Sequence, residues 1–218
     1  MVRATPIAKR SRRAPPRAAP EPRLRLETEE RRAQLIALGR EHCGARAYDD
    51  VSIDAIAAAA GISKGLLYHY FPTKRAYYAA TIREAAALVV ACTETDESMP
   101  PLARLHAGLD GYLTYVRDHA KAYATLLRSG IGVDPEIARI VDETRATFIA
   151  RLTAGFEPGL LLRSATAALA LRGWIGFAEA VSLGWTEAIA AGSPAPSQEQ
   201  VSALLASALL QIVRSTAT

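Results

Sequence analysis

Residues 52–74 read SIDAIAAAAGISKGLLYHYFPTK, a pattern that two short helices joined by a tight turn explain. Ser52 suits an N-cap, Ile53, Ile56, Ala57 and Ala60 recur at helical spacing, and Gly61 supplies the backbone freedom of a helix exit. Ser63 then caps a second helix through Tyr70, and Pro72 ends it or starts the next, because proline fits a first helical turn but not an interior one. Leu67 and Phe71 lie four apart and anchor this second helix to a core, which leaves Lys64, Tyr68 and His69 around its open side. A helix held this way lays its N-terminal part in a DNA major groove while the first helix of the pair crosses the backbone.

The stretch AAAAGISKGLLYHYFPTK, residues 57–74, resembles the helix-turn-helix signature of the TetR family of bacterial transcriptional regulators. The likeness continues upstream without a gap, since Leu35, Ile36, Tyr48, Ser52, Ile53, Ile56, Ala57 and Gly61 stand where that family places core, turn and cap residues. It covers roughly residues 30 to 80 and implies DNA contacts from Ser52, Ser63, Lys64, Gly65, Leu66, Tyr68, His69 and Lys74. Burial tendencies assign Ile53, Ile56, Leu67, Tyr70 and Phe71 to the core. Near the start of a reading helix Lys64 suits a base edge or a phosphate; elsewhere it would be an ordinary solvated lysine. Tyr68 and His69 suit phosphate or sugar, Lys74 is similar to the family's phosphate-anchoring lysine, and Ser52 combines the roles of cap and phosphate donor. Leu66 departs from the usual small or hydroxyl residue, which removes a phosphate hydrogen bond and offers apolar contact to a thymine methyl. Cys43 and Ala47 replace a usual Phe and Gly, a question of local packing.

The chain of 218 residues is half apolar, enough for one domain of fair size or a small domain plus a larger one. It has no run of about 18 uncharged apolar residues, so no span of a membrane is expected. Cys43 and Cys92 fall in helical patterns without close partners and read as buried reduced thiols of a cytoplasmic protein. His42, His69, His106 and His119 are too scattered for a metal site. The net charge of +4 conceals its distribution: residues 1–26 hold eight Lys or Arg against one Glu, so the other 192 residues sum to minus three. With Pro6, Pro15, Pro16, Pro20 and Pro22 this segment is expected to be a disordered basic arm, either following phosphates or a minor groove or remaining a solvated tail.

In chain order, Glu27 to about Cys43 reads as the first helix, its early glutamates suiting the positive end of the dipole. Gly44 to Val51 is a connection in which Tyr48 is expected to turn inward. Arg75 to about Thr95 forms a long fourth helix, and a loop follows to Pro101. Leu102 to His119 and Lys121 to Ser129 are the fifth and sixth helices; Asp134 and Pro135 open a seventh that closes by Gly155. A break at Glu157–Leu162 precedes a long apolar helix from Arg163 to about Ala191, and Ser197 starts the last. No strand pattern appears, so the expected fold is all-α with about nine helices. The resemblance implies a helix-turn-helix domain at residues 27–75 and a ligand-binding and dimerisation domain at 76–218.

Two apolar helices near the C-terminus ask for partners beyond their own chain. Leu169, Gly173, Gly176 and Ala180 allow close approach, and Leu205, Leu209 and Ile212 form a second stripe; part of these must complete the monomer's core. The family pairs these helices in a four-helix dimer interface, which places two reading helices on palindromic double-stranded operator DNA. The remaining helices enclose a pocket for an unknown small-molecule effector, with Tyr112, Tyr115, Tyr123, Phe148, Trp174 and Phe177 as lining or plain core. Arg128 and Arg145 either bind an anionic group of that molecule or pair with Asp118, Asp142 or Glu143.

A helical-bundle enzyme is the contrasting class, and its marks are missing: no Glu-x-x-His pair, no glycine-rich phosphate loop after a strand, no local Ser, His and Asp set. Neither catalytic residues nor cofactors are expected. The reading is a repressor released from its operator by a ligand, with a protein-partnered regulator of the same fold distinguished by a packed interior. Deleting residues 1–26 is expected to reduce the slope of log affinity against log salt in DNA titrations; an unchanged slope would make the arm a passive tail.

Overall fold

The computed structural model describes residues 22–43, 48–129, 134–154 and 165–216. Nine α-helices run through them: α1 (Pro22–Cys43), α2 (Ile53–Ala59), α3 (Lys64–Tyr70), α4 (Lys74–Cys92), α5 (Pro101–Asp118), α6 (Ala120–Ser129), α7 (Pro135–Ala154), α8 (Ala165–Ala190) and α9 (Gln198–Thr216). A single 3-10 turn, Tyr48–Asp50, precedes α2, and no strand occurs among the described residues. The arm up to residue 21, Ala47, the break at 157–162 and the side chains of Cys43 and Arg128 lie outside what is described, and Cys92, read as buried, is exposed at the last position of α4.

Local chemistry places the helix-turn-helix as its residues require. The Ser52 Oγ accepts from the Ala55 N–H at 3.2 Å, Gly61 turns at φ +65°, and the Ser63 Oγ accepts from the Leu66 N–H at 3.2 Å. Pro72 neither ends α3 nor starts α4. It stands between Phe71, the C-cap of α3, and Thr73, whose hydroxyl accepts from the Ala76 N–H at 3.0 Å and caps α4. Helix α1 begins at Pro22, inside the segment read as arm, because proline at a first helical position starts a helix as readily as it breaks one elsewhere. Its first turn therefore holds no acidic residue, and Glu27, Glu29 and Glu30 sit too far along to meet the dipole. A truncation that spares α1 ends at residue 21.

Two cores form. One joins Leu35 and Ile36 of α1, Ile53 and Ile56 of α2, Leu67 and Phe71 around α3, and Tyr77 and Tyr78 of α4. The other joins Leu113 and Val116 of α5 to Leu171 and Trp174 of α8 and Leu205 and Leu209 of α9. The Trp174 Nε1 donates to the Leu205 carbonyl at 3.0 Å, so the buried indole leaves no polar atom unmet. Ser197 and Gln200 cap α9 reciprocally: the Ser197 Oγ accepts from the Gln200 N–H at 3.2 Å, and the Gln200 Oε1 accepts from the Ser197 N–H at 2.9 Å.

Helix α4 belongs to both halves. Towards α7 its Arg75 pairs with Asp134 at 2.7 Å and its Arg83 with Glu136 at 3.2 Å. Asp134 also caps α7 by accepting from the Glu136 N–H at 2.8 Å. Desolvation raises its carboxyl, but the hydrogen bonds from Arg75, Glu136 and Ile137 outweigh that and hold it below the ordinary range. The support of a depressed carboxylate is complete above its unfolded pKa and fades as acid protonates it in the folded state. No helix among the described residues is long and apolar enough to cross a membrane.

Glycines set the spacing on either side of α4. A Cβ on Gly39 of α1 would stand 2.3 Å from the Thr81 Cγ2, and one on Gly111 of α5 would stand 1.9 Å from the Cys92 carbonyl oxygen. The second clash is against backbone, which cannot swing away. Gly111→Ala is therefore expected to lower stability by about 1–3 kcal/mol in urea unfolding, despite alanine's better helix propensity; no loss would show that α4 and α5 part easily.

Candidate nucleic-acid interface and effector cavity

Helix α3 buries Leu67, 1% exposed, with Phe71 just beyond it at 2%, and turns the rest outward. Ser63, Lys64, Gly65, Leu66, Tyr68 and His69 are all exposed, with Ser52 exposed at the head of α2. Tyr70 is half-buried at the edge of the core. The Ser52 Oγ accepts from backbone, so its own proton remains for a donor role. The Lys64 Nζ pairs with the Asp54 Oδ2 at 2.9 Å across the two helices. That hydrogen bond, then the carboxylate's charge, raises the lysine pKa. Both partners are largely in solvent, so the pair is readily exchanged.

Tyr48 was expected to turn inward, and instead it is 39% exposed. Its ring meets the Tyr78 ring edge-on at 5.4 Å between centroids and carries the Lys74 Nζ 4.7 Å above it. A cation on an aromatic face is held without being neutralised, which presents Lys74 at the start of α4 beside the reading helix.

In the body, a cavity of about 810 Å³ lies among α4, α5, α6, α7 and α8. Tyr112, Tyr115, Tyr123, Arg145, Phe148 and Trp174 line it. The Tyr112 and Tyr123 hydroxyls meet at 2.6 Å. Burial pushes the Tyr112 hydroxyl up to about 12, against hydrogen bonds with Ser182 and Tyr123 that lower it. Arg145 forks onto Glu179, Nε to Oε1 at 2.9 Å and Nη2 to Oε2 at 2.8 Å, with Asp142 more distant at 3.5 Å. The expected alternatives are engaged elsewhere: Glu143 by Arg139 and Asp118 by Arg117.

Phe177 does not line the cavity. It is 39% exposed on the outer face of α8, with Leu169 at 71% and Gly173, Gly176 and Ala180, also exposed, on the same side. A Cβ on Gly173, Gly176 or Gly184 would meet nothing within 4 Å. On α9 the sequence reading chose the wrong stripe. Leu205 and Leu209 are 0% exposed inside the monomer's own core, Ile212 packs against it half-buried, and Leu204 is 51% exposed. Both stripes have helical spacing, and only tertiary packing tells which one the monomer consumes.

Residues 35–84 match the family of bacterial regulatory proteins of the tetR type, and residues 101–211 match the tetracyclin repressor-like C-terminal domain. The chain belongs to the TetR family of DNA-binding transcriptional regulators. It is 28% identical over 120 residues to the HTH-type transcriptional activator FasR of Mycolicibacterium smegmatis, covering 52% of this chain and 53% of that one. It is 33% identical over 102 residues to the transcriptional regulator AcuR of Cereibacter sphaeroides, covering 45% and 44%. The chain thus spans about half the length of the curated relatives it matches. A tetR-family regulator from Streptomyces coelicolor superposes with a TM-score of 0.74 at 29% identity, over 87% of this chain and 82% of that one. FadR of Bacillus subtilis, solved with stearoyl-CoA, shares the fold at a TM-score of 0.64 and 16% identity, over 83% and 97%.

Glu179 is one of the cavity residues that the sequence did not single out. Its signal was an acidic residue within the long apolar run of α8, which requires a buried cation nearby. Arg145 and Glu179 are 23% and 18% exposed, so each depends on the other. Glu179→Ala is expected to cost about 1–3 kcal/mol in denaturant unfolding, with part regained on adding Arg145→Met. Additive losses would show that the two side chains are not coupled.

Proposed function

We propose that the chain is a homodimeric repressor, acting in the cytoplasm, that leaves a palindromic operator when a small molecule enters the body. The DNA-binding unit is residues 27–75 and the ligand-binding and dimerisation unit residues 76–218. The observation that carries this reading is the position of α4: its N-terminus abuts the reading helix, and its Tyr78–Val89 stretch walls the cavity. A molecule that fits the cavity in only one arrangement of α4 shifts the separation of the two reading helices. An interior space of this size favours a ligand over a protein partner.

Dimerisation is supported by the outer face of α8 together with Leu204 of α9, an apolar and glycine-rich surface. Two-fold symmetry would double the contacts of a reading helix too small to bind specific DNA alone. In this complex Lys64 and Leu66 meet base edges, Gly65 lets the backbone approach, and Ser52, Ser63, Tyr68, His69 and Lys74 meet phosphate or sugar.

The test is an operator selected from random-sequence DNA, titrated with variants. Lys74→Ala is expected to weaken binding to all DNA about equally and to flatten its salt dependence. Lys64→Ala is expected to lower affinity for the selected site by about 10-fold or more beyond its effect on random DNA. Equal losses on both would remove Lys64 from base reading. A chain that selects no sequence, or a cavity ligand that leaves operator binding unchanged, would overturn the DNA reading or the release step respectively.

A further inference from the structure

The cavity has a direction. Its α4 wall runs from Tyr78 to Val89 with the C-cap Thr93 beyond, and its α7 wall from Ile140 to Leu152, twelve helical steps or about 18 Å. A volume of about 810 Å³ over that length is a slot, long for its width.

Five arginines line it, and among the described residues Arg145 and Arg151 are ion-paired. Arg145 is forked onto Glu179, and Arg151 is held by the Val90 carbonyl, the Thr93 hydroxyl and Glu94. Arg104 acts on Asp96 and shares its end with Glu94 and Glu97. Arg40 differs. It comes from α1, lines the opposite end with Tyr115, His119 and Thr81, and no carboxylate among the described residues is within ion-pair distance of it. Its charge reaches the cavity wall: burial raises the Tyr115 hydroxyl, and Arg40 opposes that rise. A half-buried guanidinium at the end of an apolar slot offers a planar fork to an oxyanion.

We propose that the effector is an elongated amphiphile, an unbranched apolar chain ending in a carboxylate, and that Arg40 of α1 holds the carboxylate. This rests on the reading of the cavity as the effector site. The chain lies along α4 and α7, and the head group touches a helix of the DNA-reading unit directly. Binding then pulls on α1 as well as on α4.

The test uses the full chain with tetradecanoate and the uncharged tetradecanol, followed by calorimetry. The wild type is expected to bind the carboxylate at least about 10-fold more tightly than the alcohol, as suits a hydrogen bond to a charged group. Arg40→Gln abolishes that preference with the alcohol's affinity unchanged, Arg40→Lys keeps part of it, and Arg104→Gln at the far end keeps all of it. A preference that survives in Arg40→Gln, or that follows Arg104 instead, overturns the assignment. Neutral N-phenylnaphthylamine separates this from the underlying reading. If the dye enters, Ala178→Trp blocks it, and neither tetradecyl compound displaces it, the cavity binds ligands of another class and the amphiphile is wrong. If the dye is not taken up either, the effector reading falls with the proposal.

Discussion

The hydroxyl of Tyr77 donates to the Leu35 carbonyl at 2.7 Å, wholly out of water, and the relation of the two halves depends on that contact. Its ring stands edge-on to Phe71 at 4.9 Å, and Gly39 passes close over its hydroxyl. One side chain of α4 thus fixes α1 by a buried hydrogen bond and the end of α3 by an aromatic contact. A buried hydroxyl without a partner is strongly disfavoured, so the geometry admits little slippage. The reading helix consequently follows α4 as a rigid attachment.

From that anchor α4 runs past two further restraints of different kinds. At its N-terminal part, Arg75 and Arg83 reach the start of α7 through ion pairs half in solvent, which yield readily. At its C-terminal end, the absent side chain of Gly111 lets α5 lie against the Cys92 carbonyl, a contact that tolerates no displacement inward. Ile137 and Ile140 of α7 are buried in the same core as Tyr77, Tyr78 and Ile82, so α4 is packed along its length as well, and only a push on α4 and α7 together would turn it. The proposed ligand would supply that push where α4 and α7 form the cavity wall.

Local chemistry was legible in the sequence: Ser52, Gly61, Ser63, Asp134 and Ser197 each stand where a cap or turn needs them, because those requirements reach only three or four residues along the chain. Positions decided by distant chain were not. Tyr48 is outside because Tyr78 and Lys74 give its ring a surface role. Leu205 and Leu209 are inside because they pack with Leu113, Val116, Leu171 and Trp174 from α5 and α8, which leaves Leu204 out. Arg145 forks onto Glu179, thirty-four residues away on another helix, and reaches the expected Asp142 only at 3.5 Å. Pro22 misled in the other direction, since the residue that breaks a helix interior is the one that opens α1.

The Lys64–Asp54 pair bears on how the proposed complex would discriminate. In the free protein the lysine is not idle; it already has an anion 2.9 Å away. Reaching a base edge means leaving that partner and stranding Asp54 at a surface facing phosphates, where a carboxylate is repelled. Contact with a guanine acceptor offsets this only where the base is correct. At a wrong base the lysine keeps Asp54, and little is gained by close approach. On these terms Asp54 would subtract from the gain at the right base and leave a wrong base unchanged, so the pair would narrow the gap, and only by little because both partners are largely in solvent.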